Sequence, residues 1–273
     1  MTADGIAELG EPVRGFTPLH RGGSGPPLLL VHGFTDTWRT WELVLPALER
    51  RHEVLAPTLP GHAGGPRARA GFGPADAVDA LERVLDEAGL ETAHLAGNSL
   101  GGYLCLRLAA RGRARSVVAL APAGGWIERD PALDEHFVET QRLVRPLAAR
   151  ADELMATDDG RRRATRFTTR RYAHIPAGLL AHQLRGVAAC ADVRPMTDAA
   201  RTEGWPLDAE RVTCPVRVVW GSADALLPWP EAAARYREEW LPQADWVVLD
   251  DVGHCPQLDV PLETAELIAG FGG

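Results

Sequence analysis

The pentapeptide Gly97-Asn98-Ser99-Leu100-Gly101 sits where one sequence pattern changes into another. Residues 92–96 form a short apolar run typical of a strand, and residues 102–110 follow a helical pattern. A serine at a sharp strand-to-helix turn has an exposed hydroxyl, and the glycines beside it can adopt the strained backbone angles of such a turn. The chain therefore contains a strand–turn–helix unit, and Ser99 is its candidate nucleophile.

Further apolar runs, each bounded by turn residues, predict strands that are buried on both faces. Together with the run before Ser99 they lie at 27–31, 52–56, 92–96, 116–121, 216–220 and 246–249. Helical patterns alternate with them at 41–49, 76–88, 102–110, 231–240 and 263–271. This alternation predicts the α/β class, with a doubly wound, mostly parallel sheet covered by helices on both sides.

The alternation stops between residues 125 and 205, where helical patterns continue without a convincing strand. In a sheet of this kind, ligands bind at the carboxyl ends of the strands, and an inserted helical segment can cover that edge. We therefore predict a helical cap over residues 125–205, inserted after the sixth strand. Residues 1–124 and 206–273 are then the two parts of the core.

Composition excludes several classes of function. A net charge of −8 argues against nucleic-acid binding, and no apolar stretch approaches the roughly 18 residues of a membrane span. The first residues lack the pattern of a signal peptide, which predicts a cytoplasmic protein. The four cysteines are far apart and lack zinc-ligand spacing, so we expect reduced thiols and no metal.

A serine nucleophile needs a base, and the base needs an acid that orients it. His254 follows the last predicted strand, on a loop that can reach the carboxyl edge of the sheet. Asp224 follows the strand at 216–220, so it lies at the same edge, whereas Asp250 and Asp251 are expected to be solvated loop residues. The predicted triad is Ser99, His254 and Asp224.

Acyl transfer also needs donors for the oxyanion of the tetrahedral intermediate. The backbone N–H of Leu100 follows the nucleophile and lies at a helix N-terminus, where the dipole favours negative charge. The second donor is predicted to be the N–H of Phe34, which follows the His32-Gly33 turn.

Several motifs occur in a characteristic order. They are His32-Gly33-Phe34, Leu59-Pro60-Gly61-His62, Gly97-Asn98-Ser99-Leu100-Gly101-Gly102, Gly221-Ser222-Ala223-Asp224, and Gly253-His254 with Pro256. Through them the chain resembles α/β-hydrolase-fold enzymes of the lidded, serine-esterase-like branch over residues 28–270. The resemblance implies a serine hydrolase, free of metal and cofactor, whose partner is a small-molecule carboxylic ester.

Two differences between this sequence and related enzymes limit the reactions that we expect it to catalyse. Relatives that open epoxides or displace halide use an aspartate nucleophile, and position 99 is serine. Asn98 resembles the residue before the serine in enzymes that hydrolyse carbon–carbon bonds of ring-cleavage products, but those usually carry tryptophan where Cys255 stands. Carbon–carbon hydrolysis is therefore the first alternative. A non-catalytic, ligand-binding member of the fold is the second.

The substrate pocket is less defined by sequence than the triad. Asn98, Trp126, Trp205 and Trp229 are candidate substrate-binding residues because of their positions near the serine, the cap hinges and the acid loop. An arginine cluster at 161–171 is expected to be a solvated helix face, with guidance of a carboxylate substrate as the other interpretation. Acyl length, alcohol size and oligomeric state are left open.

Overall fold

A seven-stranded sheet forms the centre of the computed structural model, which describes residues 15–128, 130–191 and 193–271. The strands are β1 (Leu19–Gly23), β2 (Pro27–Val31), β3 (Glu53–Pro57), β4 (Ala93–Asn98), β5 (Ala114–Leu120), β6 (Val216–Gly221) and β7 (Asp245–Leu249). Their spatial order is β1-β3-β2-β4-β5-β6-β7, with β1 antiparallel to β3 and every other pair parallel. The predicted α/β fold is confirmed.

The strand that precedes Ser99 is the central one. β4 pairs with β2, where Val31 opposes Gly97, and with β5, where Asn98 opposes Leu120. All six predicted strands form. β1 was not predicted, because its side chains alternate between exposed and half-buried, it ends in two glycines and it lies at the sheet edge, so it lacks the continuous apolar signature.

Helices cover both faces of the sheet. The core carries α1 (Leu45–Leu48), α2 (Pro74–Glu87), α3 (Leu100–Ala110), α9 (Pro256–Asp259) and α10 (Pro261–Ala269). The predicted helix at 231–240 is instead a 3₁₀ turn, Glu231–Ala233, followed by a π turn, Tyr236–Trp240. The N–H of Arg235 donates to the carbonyl of Gly125 at 2.7 Å, so it is not used in a hydrogen bond within a continuous α-helix.

Between β5 and β6 the described residues form helices and no strand. The helices are α4 (Ala132–Val144), α5 (Ala151–Met155), α6 (Asp158–Thr165), α7 (Ala177–Ala189) and α8 (Val193–Glu203). Among the described residues, five strands precede this helical segment, whereas the prediction placed it after the sixth strand. The strands on either side of it, β5 and β6, are both among the predicted ones. Nowhere in the described ranges is a helix both long and apolar enough to cross a membrane.

The turn from β4 to α3 depends on close backbone packing. Ser99 has φ of +57°, and its N–H donates to Leu120 O at 2.9 Å. A Cβ at Gly97 would lie 2.7 Å from the nitrogen of Gly102. A Cβ at Gly101 would overlap the carbonyl oxygen of Val31, at the end of β2. Glycine is therefore required on both sides of the serine.

We predict that Gly101→Ala destabilises the fold by roughly 1–3 kcal/mol, because the added methyl meets backbone atoms that cannot rotate away. Gly178→Ala is the matched control: Gly178 lies in the first turn of α7 with no atom near its would-be Cβ, so alanine is expected to be neutral or stabilising by roughly 0.5–1 kcal/mol. Urea unfolding of both variants measures the difference. Equal stabilities would contradict the close packing.

Candidate active site

Ser99 lies at the carboxyl end of β4, 7% exposed, and lines a cavity with about 720 Å³ of empty space including its open mouth. Core residues form one wall, and the helical segment forms the other. The core contributes Phe34, Leu59, His62, Phe72, Gly73, Pro74, Ala77, Leu100, Ala123, Leu226 and Leu227. The other wall comprises Trp126, Leu133, Asp134, Phe137, Met196, Thr197, Ala200 and Trp205. The cavity is therefore mostly apolar around a serine hydroxyl.

The loop after β2 packs directly on the serine. A Cβ built at Gly33 would lie 3.3 Å from the Cβ of Ser99, a contact tight enough that a larger residue would require one of the two to shift by a few tenths of an ångström. Phe34 and Leu100 both line the cavity, one on each side of this contact. The two predicted oxyanion donors thus belong to the two segments that meet at Ser99.

His32 fixes the loop that carries Phe34. Its Nδ1 donates to Gly33 O at 2.7 Å, and its Nε2 accepts from the N–H of Leu59 at 2.9 Å. Burial holds the pKa of His32 well below 6.5, so the ring is neutral and this tautomer satisfies both bonds. The histidine therefore ties the loop after β2 to the loop after β3.

His254 and Asp224 form a buried pair. Nδ1 of His254 lies 2.8 Å from Oδ2 of Asp224, and both side chains are almost completely inaccessible. The other carboxylate oxygen accepts the N–H groups of Leu226 and Leu227 at 2.9 and 2.8 Å. Nε2 of His254 is buried and has no hydrogen-bond partner within the described part of the chain. The acid orients the imidazole and leaves its second nitrogen available as a base.

Close packing also brings the two loops of this pair together. A Cβ at Gly221, the last residue of β6, would overlap the carbonyl oxygens of Val252 and Gly253. The N–H of Ala223 donates to Val252 O at 3.0 Å. The loop that carries Asp224 is therefore held against the loop that carries His254.

Asp259 anchors the histidine loop from the other side. Its buried carboxylate accepts the N–H of Gly253 at 2.6 Å and the N–H groups of Arg170 and Arg171 at 2.8 and 2.7 Å. Residues 170 and 171 belong to the helical segment, so one carboxylate connects that segment to the loop of His254. Sequence reasoning missed this residue, since an aspartate in a short helix has no distinguishing pattern.

The competing acids lie elsewhere. Asp250 and Asp251 are exposed on the turn after β7, where Asp250 accepts from the hydroxyl of Ser222 at 3.3 Å and Asp251 pairs with Arg170. Neither carboxylate bonds to His254. Asp224 is the acid in contact with that imidazole.

Asn98 lies beneath the serine and is absent from the cavity wall. Its Nδ2 donates to His254 O at 2.9 Å and Leu120 O at 3.2 Å, and its Oδ1 accepts from Gln257 at 3.1 Å and from the Cys255 thiol at 3.4 Å. All of its polar atoms are therefore used within the protein. The structure therefore places Asn98, predicted to bind substrate, between the strand that ends at Ser99 and the loop of His254.

The three candidate tryptophans separate in the same way. Trp126 and Trp205 line the cavity and pack edge to face, with ring centroids 5.3 Å apart. Trp229 lies outside the cavity wall, between Trp220 and Trp246 and under the guanidinium of Arg237. The structure therefore places Trp229, predicted to bind substrate, in the packing beside β6 and β7 and not in the cavity wall.

The arginine cluster does not reach the cavity. Arg162 and Arg163 are exposed and pair with Asp159 one helical turn away, and no member of the cluster lines the cavity. The positions of Arg162 and Arg163 therefore agree with the interpretation of the arginine cluster as a solvated helix face. No group of three or more histidine, cysteine, aspartate or glutamate residues in the described ranges is arranged to hold a metal ion.

With the geometry established, sequence comparison identifies the family. Residues 28–267 match the model of the alpha/beta hydrolase family. The chain belongs to this family.

Relatives of this hydrolase differ in chemistry. An epoxide hydrolase of Mycobacterium tuberculosis is 33% identical over 205 residues, which cover 71% of this chain and 92% of the relative. A 2-hydroxymuconate semialdehyde hydrolase of Pseudomonas sp. is 28% identical, with 93% and 89% of the two chains covered. The crystal structure of carboxylesterase CesB from Bacillus subtilis superposes with a TM-score of 0.71 at 22% identity, covering 96% and 90%. The last likeness shows the fold alone.

The buried histidines of this hydrolase should make its stability depend on pH. Burial lowers the pKa of His62 and of His182 to about 4, and it lowers the pKa of His32 well below 6.5. Unfolding therefore takes up protons below about pH 6.5, which lowers the free energy of unfolding. Burial raises the pKa of Asp36 to about 6, so this carboxyl group stabilises the folded state as the pH falls. One aspartate offsets only part of the stability that the three histidines lose.

We predict that the free energy of unfolding is lower at pH 5 than at pH 7.5, by on the order of 3 kcal/mol. Urea titrations at the two pH values measure this difference. In His182→Gln the loss between the two pH values should shrink, since one titrating group is removed. An unchanged free energy in the wild type would mean that these rings are not held neutral.

Proposed function

We propose that this alpha/beta hydrolase cleaves carboxylic esters through an acyl-enzyme intermediate on Ser99. One observation supports this most strongly: a serine with strained backbone opens into an apolar cavity, and the same edge of the sheet carries a buried His254–Asp224 pair with a 2.8 Å hydrogen bond. Strain of this kind at a non-glycine residue is concentrated at functional sites.

The acylation step uses the free nitrogen of the imidazole. Oγ of Ser99 attacks the carbonyl carbon while Nε2 of His254 takes its proton, and Asp224 stabilises the resulting imidazolium. The carbon–oxygen bond to the alcohol then breaks, and His254 returns the proton to the leaving oxygen. A water molecule repeats the sequence on the acyl-enzyme and releases the carboxylic acid.

The oxyanion of each tetrahedral intermediate is held by the N–H groups of Phe34 and Leu100 in this proposal. The close approach of Gly33 to Ser99 supports it, because it brings the loop of Phe34 beside the attacking oxygen. The N-terminus of α3 adds a favourable dipole at Leu100. Both donors are backbone groups fixed by packing, so they need no rearrangement during the reaction.

The helical segment acts as the cap of the proposed enzyme. It supplies the wall opposite Ser99, including Trp126, Trp205 and Phe137. An apolar wall of this kind binds the hydrocarbon part of an ester and excludes water from the acyl-enzyme until hydrolysis. We also propose that the protein is cytoplasmic.

Epoxide opening is disfavoured by chemistry, although a relative is named as an epoxide hydrolase. A serine that opened an epoxide would become joined to the product through an ether, which this site has no means to hydrolyse. A carboxylate nucleophile would instead leave an ester. Position 99 is a serine, so an acyl group is the intermediate from which the enzyme can be regenerated.

Carbon–carbon hydrolysis is the second candidate, favoured by the likeness to the 2-hydroxymuconate semialdehyde hydrolase over 93% of this chain. It would use the same serine, histidine and aspartate on a ketone. Incubation with a coloured dienolate ring-cleavage product distinguishes the two candidates. Bleaching of that substrate without turnover of p-nitrophenyl esters would replace the ester proposal.

We predict that Ser99→Ala remains folded and loses roughly 10⁴- to 10⁶-fold in kcat on p-nitrophenyl esters, because no nucleophile remains. Asp224→Asn should lose roughly 10⁴-fold, since the amide no longer holds the productive imidazole tautomer. Steady-state kinetics with circular dichroism as the folding control measure both losses.

Asp250→Asn is the matched control for the acid, because Asp250 is an exposed carboxylate after the neighbouring strand with no contact to His254. It should retain wild-type kcat. Full activity in Ser99→Ala would exclude Ser99 as nucleophile. A wild-type protein that binds acyl ligands without converting any ester or dienolate would favour a binding protein.

A further inference from the structure

His62 is a polar residue in the cavity wall that the proposed mechanism does not use. The residue follows β3 in the Leu59-Pro60-Gly61-His62 turn, is 4% exposed and lines the cavity together with Ser99. Its ring meets that of Phe34 edge to face at 5.7 Å between centroids. Phe34 belongs to the loop that packs on Ser99, so His62 contacts a residue of that loop and shares the cavity wall with the serine.

The hydrogen bonds of the ring define its tautomer. Nδ1 of His62 lies 3.1 Å from the carbonyl oxygen of Pro60, and a carbonyl can only accept, so Nδ1 carries the proton. Burial lowers the pKa of this ring to about 4, which keeps it neutral at physiological pH. Nε2, at the opposite end of the ring, is therefore an acceptor.

That acceptor has no partner. Nε2 of His62 is buried, and the part of the chain that the structure describes provides no donor for it. A buried polar atom without a hydrogen bond has lost its bonds to water and gained none in return, which is rare in folded proteins. His32, 5.0 Å away and also buried and neutral, has both nitrogens bonded within the protein. His254 also has a buried nitrogen without a partner, but the proposed mechanism uses that nitrogen as the base, whereas it gives Nε2 of His62 no role.

The surrounding loop holds the ring in place. The carbonyl of His62 accepts the N–H of Gly65 at 2.9 Å, and its own N–H donates to Leu59 O at 3.1 Å. The carbonyl of Gly61 accepts the N–H of Ala191, from the helical segment, at 2.7 Å. The acceptor is therefore preorganised by both walls of the cavity.

We propose that His62 is a specificity-determining residue whose Nε2 accepts a hydrogen bond from a hydroxyl on the substrate, so that the preferred substrates are hydroxyl-bearing esters. The inference rests on the proposed ester hydrolysis. The hydroxyl belongs either to the acyl part or to the alcohol part, and the chemistry of recognition is the same for both.

Two pairs of esters test the proposal and distinguish these sources. The acyl pair is p-nitrophenyl 3-hydroxybutyrate and p-nitrophenyl 3-methoxybutyrate, and the alcohol pair is 2-hydroxyethyl and 2-methoxyethyl butyrate. In the wild type one pair should show a preference for the hydroxyl compound on the order of tenfold in kcat/KM. His62→Phe keeps an aromatic ring but removes the acceptor, and this ratio should fall to about one.

His94→Phe is the matched control, because His94 lies near the start of β4, at the opposite edge of the sheet from Ser99, and its Nδ1 is bonded to Ser116. It should keep the wild-type ratio. A ratio in both pairs that is the same for the wild type and His62→Phe would overturn the proposal and leave His62 as a packing residue.

A second measurement does not depend on turnover. ¹⁵N NMR of the His62 side chain should show the proton on Nδ1, and 1-hexanol should shift the Nε2 signal while 1-methoxypentane should not. A proton on Nε2, or equal responses to the two probes, would contradict the proposal. If no ester is turned over at all, the proposed function fails, and this measurement still decides the role of His62.

Discussion

The approach of three backbone segments around Ser99 is the constraint on which the site depends. The end of β2 touches the first turn of α3 so closely that any side chain at position 101 would strike the carbonyl of Val31. The same contact brings Gly33 against Ser99 and holds the serine at φ of +57°. A strained serine, the loop of Phe34 and the N-terminus of α3 are therefore brought together by one packing arrangement, which glycines make possible.

Close backbone packing also brings His254 and Asp224 together. Gly221 lets the end of β6 meet the loop of His254, and Asp259 ties that loop to residues 170 and 171. Asn98 then connects the loop to the strand of the nucleophile through a 2.9 Å bond to His254 O. The side chains of Asp259 and Asn98, which hold these backbones in place, are buried and hydrogen-bonded, and this restricts the motion of the proposed catalytic residues.

The sequence predicted the parts of the molecule whose patterns are local. Buried parallel strands are continuous apolar runs, so six were found, whereas β1, an edge strand with alternating exposure, was not. The direction of a side chain is not local: Asn98 turns inward because four residues from other segments bind it, and Trp229 packs beside β6 and β7. The free nitrogen of His62 likewise appears only when its neighbours are placed.

The central claim is that Ser99 carries the acyl group during turnover. Rapid-quench mass spectrometry of the protein with p-nitrophenyl butyrate, followed by peptide mapping, tests it directly. We expect one added butyryl group, located on Ser99, that forms before steady state and disappears as the substrate is consumed. Turnover with a butyryl group on another residue, or with Ser99 never modified, would contradict it.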